Sequence, residues 1–242
     1  SELIGNYQGS PYATWEGLYQ QGIQVRSFLQ PSQSNAKPDL LRRYLRYVPQ
    51  VISQQLIDKK KKDYPLVIVL PGANTSPEQL RHYDLGDRLE RLADKEEFIL
   101  AYGNAYNLNG QAAPLNNDTP FSANQGYWRT CGGAPGNYPN FYDVDDVDYL
   151  KRVIQHLIRE SLPIDPEQIF VWGLSNGGEM AMQAARGMGH LLAGIGAVVP
   201  VTNMPANIPL GECEATIQAP LSMMLMYAPK DPKLKSIFAQ FD

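Results

Sequence analysis

Histidine and cysteine are scarce: His82, His156 and His190 are the three histidines and Cys131 and Cys213 the two cysteines among 242 residues. Scattered singly, they offer no metal-ligand spacing, so no structural zinc is expected. Two cysteines allow one disulfide and force none. No apolar run approaches the ~18–20 residues that a membrane-spanning helix needs, so no membrane partner is expected. Excess charge is also missing. A net charge of −4 gives no electrostatic reason to expect nucleic acid or an anionic membrane surface. The one basic run, Lys59–Lys62, falls between two predicted strands and reads as a solvated turn. No internal repeat is visible, and nothing after Ser1 looks like a signal segment.

What remains is ordinary globular composition, 43% hydrophobic and 19% charged, in a length that suits one α/β domain or two small ones. Residues 1–40 are rich in Gln, Ser, Tyr and Gly and read as an N-terminal extension, with a possible edge strand at Gly22–Phe28. Residues 41–242 read as the main domain. Arg42–Val48 has the aromatic and β-branched content of a strand ended by Pro49. Leu66–Leu70 is a continuous apolar run, as in a strand buried on both faces of a parallel sheet. It breaks at Pro71–Thr75. Ser76, Pro77 and Gln79 then carry a helix start signal, with Leu85, Leu89 and Leu92 continuing at helical spacing.

Phe98–Tyr102 is the next strand. The aperiodic stretch from Gly103 to Phe141, which holds Trp128 and Cys131, has the length of a functional loop. A helix opens near Asp143–Asp146, where early carboxylates suit the helix dipole. Its stripe is Val147, Leu150, Ile154, Leu157 and Ile158. On that spacing His156 faces away from the core, into solvent. Further strands are expected at Ile169–Leu174, Ala193–Pro200 and Leu221–Tyr227, with a helix from about Gly178 to Arg186. Alternating strands and helices predict a mostly parallel sheet flanked by helices, whose ligands bind beyond the carboxyl ends of the strands.

The chemical signal lies in Gly173-Leu174-Ser175-Asn176-Gly177, between an apolar strand and a helix start. Gly-x-Ser-x-Gly in that context is a nucleophile elbow. A serine on a tight strand-to-helix turn projects its hydroxyl from the sheet, and the helix aims its first N–H groups at the same spot. The backbone N–H of Asn176 is the expected first oxyanion donor. The loop after Leu70 supplies the second, with Ala73 preferred and Asn74 next. Asp231, in an Asp-Pro turn after a later strand, is placed to be the acid of a Ser–acid–His order.

These segments resemble the polyhydroxybutyrate-depolymerase and feruloyl-esterase-like branch of the α/β-hydrolase superfamily. The resemblance runs from about Arg42 to Pro232, through Arg43-Tyr44-Leu45, Leu70-Pro71-Gly72, Leu92-Ala93-Asp94, Trp128, Val144-Asp145-Asp146-Val147, Asn203-Met204-Pro205, Cys213 and Asp231-Pro232. Gly173-Leu174-Ser175-Asn176-Gly177-Gly178 is its most specific piece. It implies an α/β-hydrolase fold and a secreted or periplasmic serine esterase without cofactor, acting on polyester or on acyl groups of plant polysaccharides. Catalysis would rest on Ser175 and Asp231, with Ala73 and Asn176 at the oxyanion and Trp128 and Asn74 lining the substrate site.

This chain departs from that family twice. Pro71-Gly72 stands where the family has His-Gly, and no histidine follows Asp231. The second departure leaves the catalytic base without a candidate and suggests a chain that stops before its last strand, helix and catalytic loop. A serine peptidase of the same fold, and a binding protein that lost its base, are the alternative readings. Export and loop positions together predict a Cys131–Cys213 disulfide. Oligomeric state is not legible.

Overall fold

A computed structural model describes residues 22–32, 39–57, 62–81, 85, 87–107, 126–130, 144–198 and 220–226. The strands are β1 (Ile23–Gln30), β2 (Leu40–Tyr47), β3 (Tyr64–Leu70), β4 (Ile99–Gly103), β5 (Tyr106–Asn107), β6 (Gly126–Tyr127), β7 (Ile164–Leu174), β8 (Gly194–Val198) and β9 (Ser222–Met226). The helices are α1 (Gln50–Ile57), α2 (Arg88–Glu96), α3 (Asp146–Arg159) and α4 (Asn176–Met188), with short helical turns at Pro77–Gln79 and Gly189–Leu191.

Seven strands form one sheet in the order β1-β2-β4-β3-β7-β8-β9, while β5 and β6 pair separately. The β1–β2 and β2–β4 pairs are antiparallel, and every pair from β4 to β9 is parallel. This is the mostly parallel sheet expected from the sequence. The strand foreseen before residue 40 is its edge strand, paired with β2 along its whole length.

β3 sits in the middle because both of its faces are apolar. Leu66, Ile68 and Leu70 join Ile99, Ala101 and Val171 under α3 and α4, where Tyr149, Leu150, Val153, Met180 and Ala181 close the core. Val69 faces the other way, with Leu45, Leu100, Tyr102 and Ala93 of α2. Burying a large apolar side chain contributes roughly 1.5–3 kcal/mol, so a strand buried on both faces anchors its neighbours. Order at the site begins there.

Several local expectations need correction. The helix announced at Ser76 is α-helical over Pro77–Gln79 and widens at Leu80 and Arg81, where the Leu85 N–H donates to the Leu80 carbonyl at 3.0 Å. Ser76 Oγ accepts from the Gln79 N–H at 3.1 Å, as a cap should. Asp87 then takes a left-handed conformation, φ 55°, and α2 starts afresh at Arg88. Leu92 is consequently 44% exposed instead of continuing one apolar stripe. On α3, Ile158 is 50% exposed, while Tyr149 and Val153 take the buried positions.

His156 does not face open solvent. β1 and β2 lie over it, with the Tyr44 hydroxyl 3.0 Å from Nδ1 and the Phe28 ring against the imidazole. Helix α1 had no counterpart in the sequence reading. Among the described residues β9 ends the sheet, with Met223, Met224, Leu225 and Met226 all exposed. Lys62, the described end of the basic run, is exposed and pairs with Glu97.

Candidate active site

The site forms where β7 ends and α4 begins. Ser175 joins them at φ 55°, ψ −121°, an unfavourable conformation for a residue with a Cβ. Such a conformation costs on the order of 1–3 kcal/mol and persists only where its surroundings enforce it. Here the enforcement is visible. The Ser175 N–H donates to the Val198 carbonyl at 2.8 Å, and the Ser175 carbonyl accepts from the Glu179 N–H at 3.0 Å. The Ser175 side chain makes no capping bond to the helix it starts.

Both flanking glycines are steric requirements. A Cβ on Gly173 would lie 2.0 Å from the Gly177 carbonyl oxygen, and one on Gly177 would lie 2.2 Å from the Leu70 carbonyl oxygen. The elbow is therefore wedged between its own first helical turn and the end of β3. The loop after β3 presses on it as well: a Cβ on Gly72 would sit 3.5 Å from Ser175 Cβ. Pro71 and Gly72 thus lie against the elbow, and Ala73 and Asn74 follow them in the same loop.

Within that loop the two candidate donors differ. The Asn74 N–H is committed to the Gly126 carbonyl at 2.8 Å, and Asn74 itself is exposed with φ 58°. A committed N–H does not serve an oxyanion, which leaves Ala73 as the better candidate. On the other side, the first N–H groups of α4 have no carbonyl four residues back within the helix and point out of its end.

Residues 126–130 cross behind both halves of the site. The Trp128 indole N–H donates to the Pro71 carbonyl at 2.8 Å. The Trp128 backbone N–H donates to Asn176 Oδ1 at 2.8 Å, and Asn176 Nδ2 donates to the Trp128 carbonyl at 3.4 Å. One segment therefore touches the loop after β3 and the residue after the serine. Trp128 is fully buried, packed over Gly103 and 5.9 Å from the Tyr149 ring. With no exposed surface it does not line a groove; it supports the site from inside.

Polar side chains outside the elbow hold this segment, and Thr130 and Glu179 among them belong to no motif read in the sequence. Thr130 Oγ1 donates to Glu179 Oε2 at 2.9 Å, and Asn176 Nδ2 reaches the same oxygen at 3.2 Å. Asp146 accepts from the Arg129 N–H at 2.7 Å on one oxygen and from Arg42 Nη2 at 2.7 Å on the other. The Arg42 guanidinium lies 4.0 Å from the centre of the Tyr149 ring and also donates to Gln30 Oε1 at 2.8 Å. Burial pushes the Tyr149 phenol up to about 12 despite the opposing effect of Arg42. Burial raises Tyr127 too, with the Glu179 carboxylate adding to it. A polar residue in a buried helix was the available signal for one of them: Glu179, just before Met180 in α4.

Ser175 and Asn176 thus meet Gly72 and Trp128, with Ala73 and Asn74 next along the loop after Gly72. Asp231, Cys131, Cys213 and His82 lie outside the described residues. Neither described histidine reaches the elbow. His190 is exposed beyond the far end of α4, about 20 Å away at 1.5 Å per residue. His156 sits against β1 and β2, and burial followed by Arg26, Arg46 and Arg159 lowers its pKa below 6.5. Among the described residues no group of three or more His, Cys, Asp or Glu is placed to hold a metal.

The prolyl oligopeptidase family profile matches residues 141–208, which include α3, the elbow and β8. No curated protein matches the chain. Among solved structures, S-formylglutathione hydrolase from Staphylococcus aureus is 14% identical with a TM-score of 0.52, over 91% of this chain and 85% of that one. A ferulic acid esterase is 16% identical with a TM-score of 0.47, over 80% of this chain and 65% of its own. The fluorophosphonate-binding serine hydrolase F of S. aureus is 13% identical with a TM-score of 0.45, over 74% of this chain. The chain spans 57% and 65% of the lengths of the last-named protein and the ferulic acid esterase. At these identities the likeness is one of architecture. A mixed, mostly parallel sheet between helices, with a strained serine where β7 turns into α4, gives this chain the α/β-hydrolase fold.

Proposed function

We propose that this protein is a serine hydrolase of carboxylic esters that works through an acyl-enzyme. The observation that carries the reading is Ser175 at φ 55° between β7 and α4, with the Pro71–Gly72 loop against it. Ser175 Oγ attacks the ester carbonyl as its proton passes to a base. The backbone N–H groups of Asn176 and Ala73 receive the oxyanion, the alcohol leaves with a proton, and water releases the acid. Asp231 is the proposed acid that orients the histidine base. His156 and His190 are not placed for that role.

The resemblance in the elbow and its neighbouring motifs favours polyester or feruloyl- and acetyl-type esters as substrates, with Asn74 at the mouth of the site. It also favours an exported protein carrying a Cys131–Cys213 disulfide. Intact mass with and without reductant tests the bond: a 2 Da gain on reduction supports it, and two free thiols count against it.

The match of residues 141–208 to the prolyl oligopeptidase family favours a second reading, amide hydrolysis by the same machinery. Turnover of p-nitrophenyl butyrate and of peptide anilides by the full-length protein separates the two. Ester cleavage that Ser175→Ala abolishes, with anilides untouched, is the expected result. Anilide cleavage favours the peptidase, and turnover unaffected by Ser175→Ala refutes both.

A further inference from the structure

The described residues hold several polar clusters outside the reacting groups. The one nearest the elbow joins Glu179, Thr130, Asn176 and the backbone of Trp128. From it we propose that Glu179 is a positioning residue that fixes the Asn176 oxyanion donor. The inference rests on the ester-hydrolase reading above and adds a part to it.

Glu179 is buried one turn into α4, so its carboxylate needs hydrogen-bond donors to offset lost hydration. Oε2 takes two: Thr130 Oγ1 at 2.9 Å and Asn176 Nδ2 at 3.2 Å. The second bond decides which way the Asn176 amide faces. With Nδ2 held by the carboxylate, Oδ1 is turned to the Trp128 N–H, 2.8 Å away. Were the amide reversed, two N–H groups would face each other and an amide oxygen would face a carboxylate.

Asn176 is thereby tied both along its own helix and across to residues 126–130. That second anchor also carries the Trp128 indole, whose N–H holds the Pro71 carbonyl. The two expected oxyanion donors, on α4 and after β3, are therefore referenced to one segment, residues 126–130. Oxyanion stabilisation requires donors to be in place before charge develops, and small displacements in such sites cost large factors in rate. Glu179 lies beyond Asn176 and acts through it, so its contribution belongs to the transition state rather than to substrate binding.

A carboxylate so near the site also carries a charge that opposes a developing oxyanion, which separates the role of the acceptor from that of the charge. Glu179→Gln retains an acceptor oxygen without the charge; Glu179→Ala removes both. The experiment measures fluorophosphonate inactivation rate and ester KM and kcat for the full-length wild type, Glu179→Ala, Glu179→Gln and Thr130→Val. Amide exchange at Trp128 is followed in parallel.

Glu179→Ala is expected to lose about tenfold or more in kcat and inactivation rate, with KM within about twofold and faster exchange at the Trp128 N–H. Glu179→Gln should stay within about threefold of wild type. Thr130→Val, which removes one of the two donors, should fall between them, and it decides the matter if Glu179→Ala does not fold. Wild-type rates in both Glu179→Ala and Thr130→Val, or a glutamine variant as slow as the alanine one, would overturn the proposal while Ser175 still labels. A wild type that does not label at Ser175 removes the ester-hydrolase reading itself, and this proposal with it.

Discussion

At the scale of single residues, the strained serine and its glycines carry most of the information. The glycines are required because backbone from β3 and α4 occupies the space a Cβ would take. Gly177→Ala would place a methyl group 2.2 Å from the Leu70 carbonyl oxygen, where only backbone movement relieves the overlap. The expected cost is about 4 kcal/mol or more, a drop of about 8–16 °C in Tm by calorimetry. Wild-type stability in this variant would refute the wedged elbow. This part of the site was legible because Gly-x-Ser-x-Gly is a local pattern. Glu179 and Thr130 were not, since they meet across 49 positions of sequence and neither belongs to a recognisable spacing.

Elements then fix what residues cannot fix alone. Residues 126–130 have no periodicity; the short β5–β6 pair and the bonds of Gly126, Trp128, Arg129 and Thr130 order them. The Arg42–Asp146 pair is their deepest anchor, at 2% and 0% side-chain exposure. Asp146→Ala leaves a buried guanidinium without its carboxylate, an expected loss of about 3–5 kcal/mol. Replacing both residues with apolar ones of similar size should restore part of it, measured by urea unfolding. If the single variant is as stable as wild type, Asp146 is not the anchor. In the sequence the carboxylates of Asp143–Asp146 suit the helix dipole. The structure gives Asp145 the cap, accepting from the Asp148 N–H at 2.9 Å, and turns Asp146 inward.

The junction of β1, β2 and α3 gives a pH prediction. Burial lowers the pKa of His156 below 6.5, and Arg26, Arg46 and Arg159 add to the effect. Glu160 Oε1, 4.0 Å from Nε2, opposes it but is itself paired with Arg26 and Arg46. A histidine with a depressed folded pKa binds fewer protons folded than unfolded. Its contribution is therefore fully present above 6.5, the unfolded value, and declines as pH falls from there through the folded value. His156→Gln should flatten the stability profile over that interval in urea unfolding. An unchanged slope would contradict the assigned burial.

Over the whole molecule, the sheet was the most legible feature. Leu66–Leu70, Ile169–Leu174 and Gly194–Val198 are apolar runs of strand length, and their burial between helices follows from composition alone. The short turn at Pro77–Gln79, helix α1 and the covering of His156 were not legible, because tertiary contacts settle them and periodicity does not. The fold in turn sets what the site can do. It delivers a serine and the N–H groups around it to the carboxyl edge of a rigid sheet, where an acyl group can be held and attacked. Ser175 is the proposed nucleophile on which this reading turns. Reaction of the full-length protein with a fluorophosphonate, followed by peptide mapping, tests it most directly. One adduct is expected, on Ser175 and lost in Ser175→Ala; an adduct elsewhere, or none, would contradict this assignment.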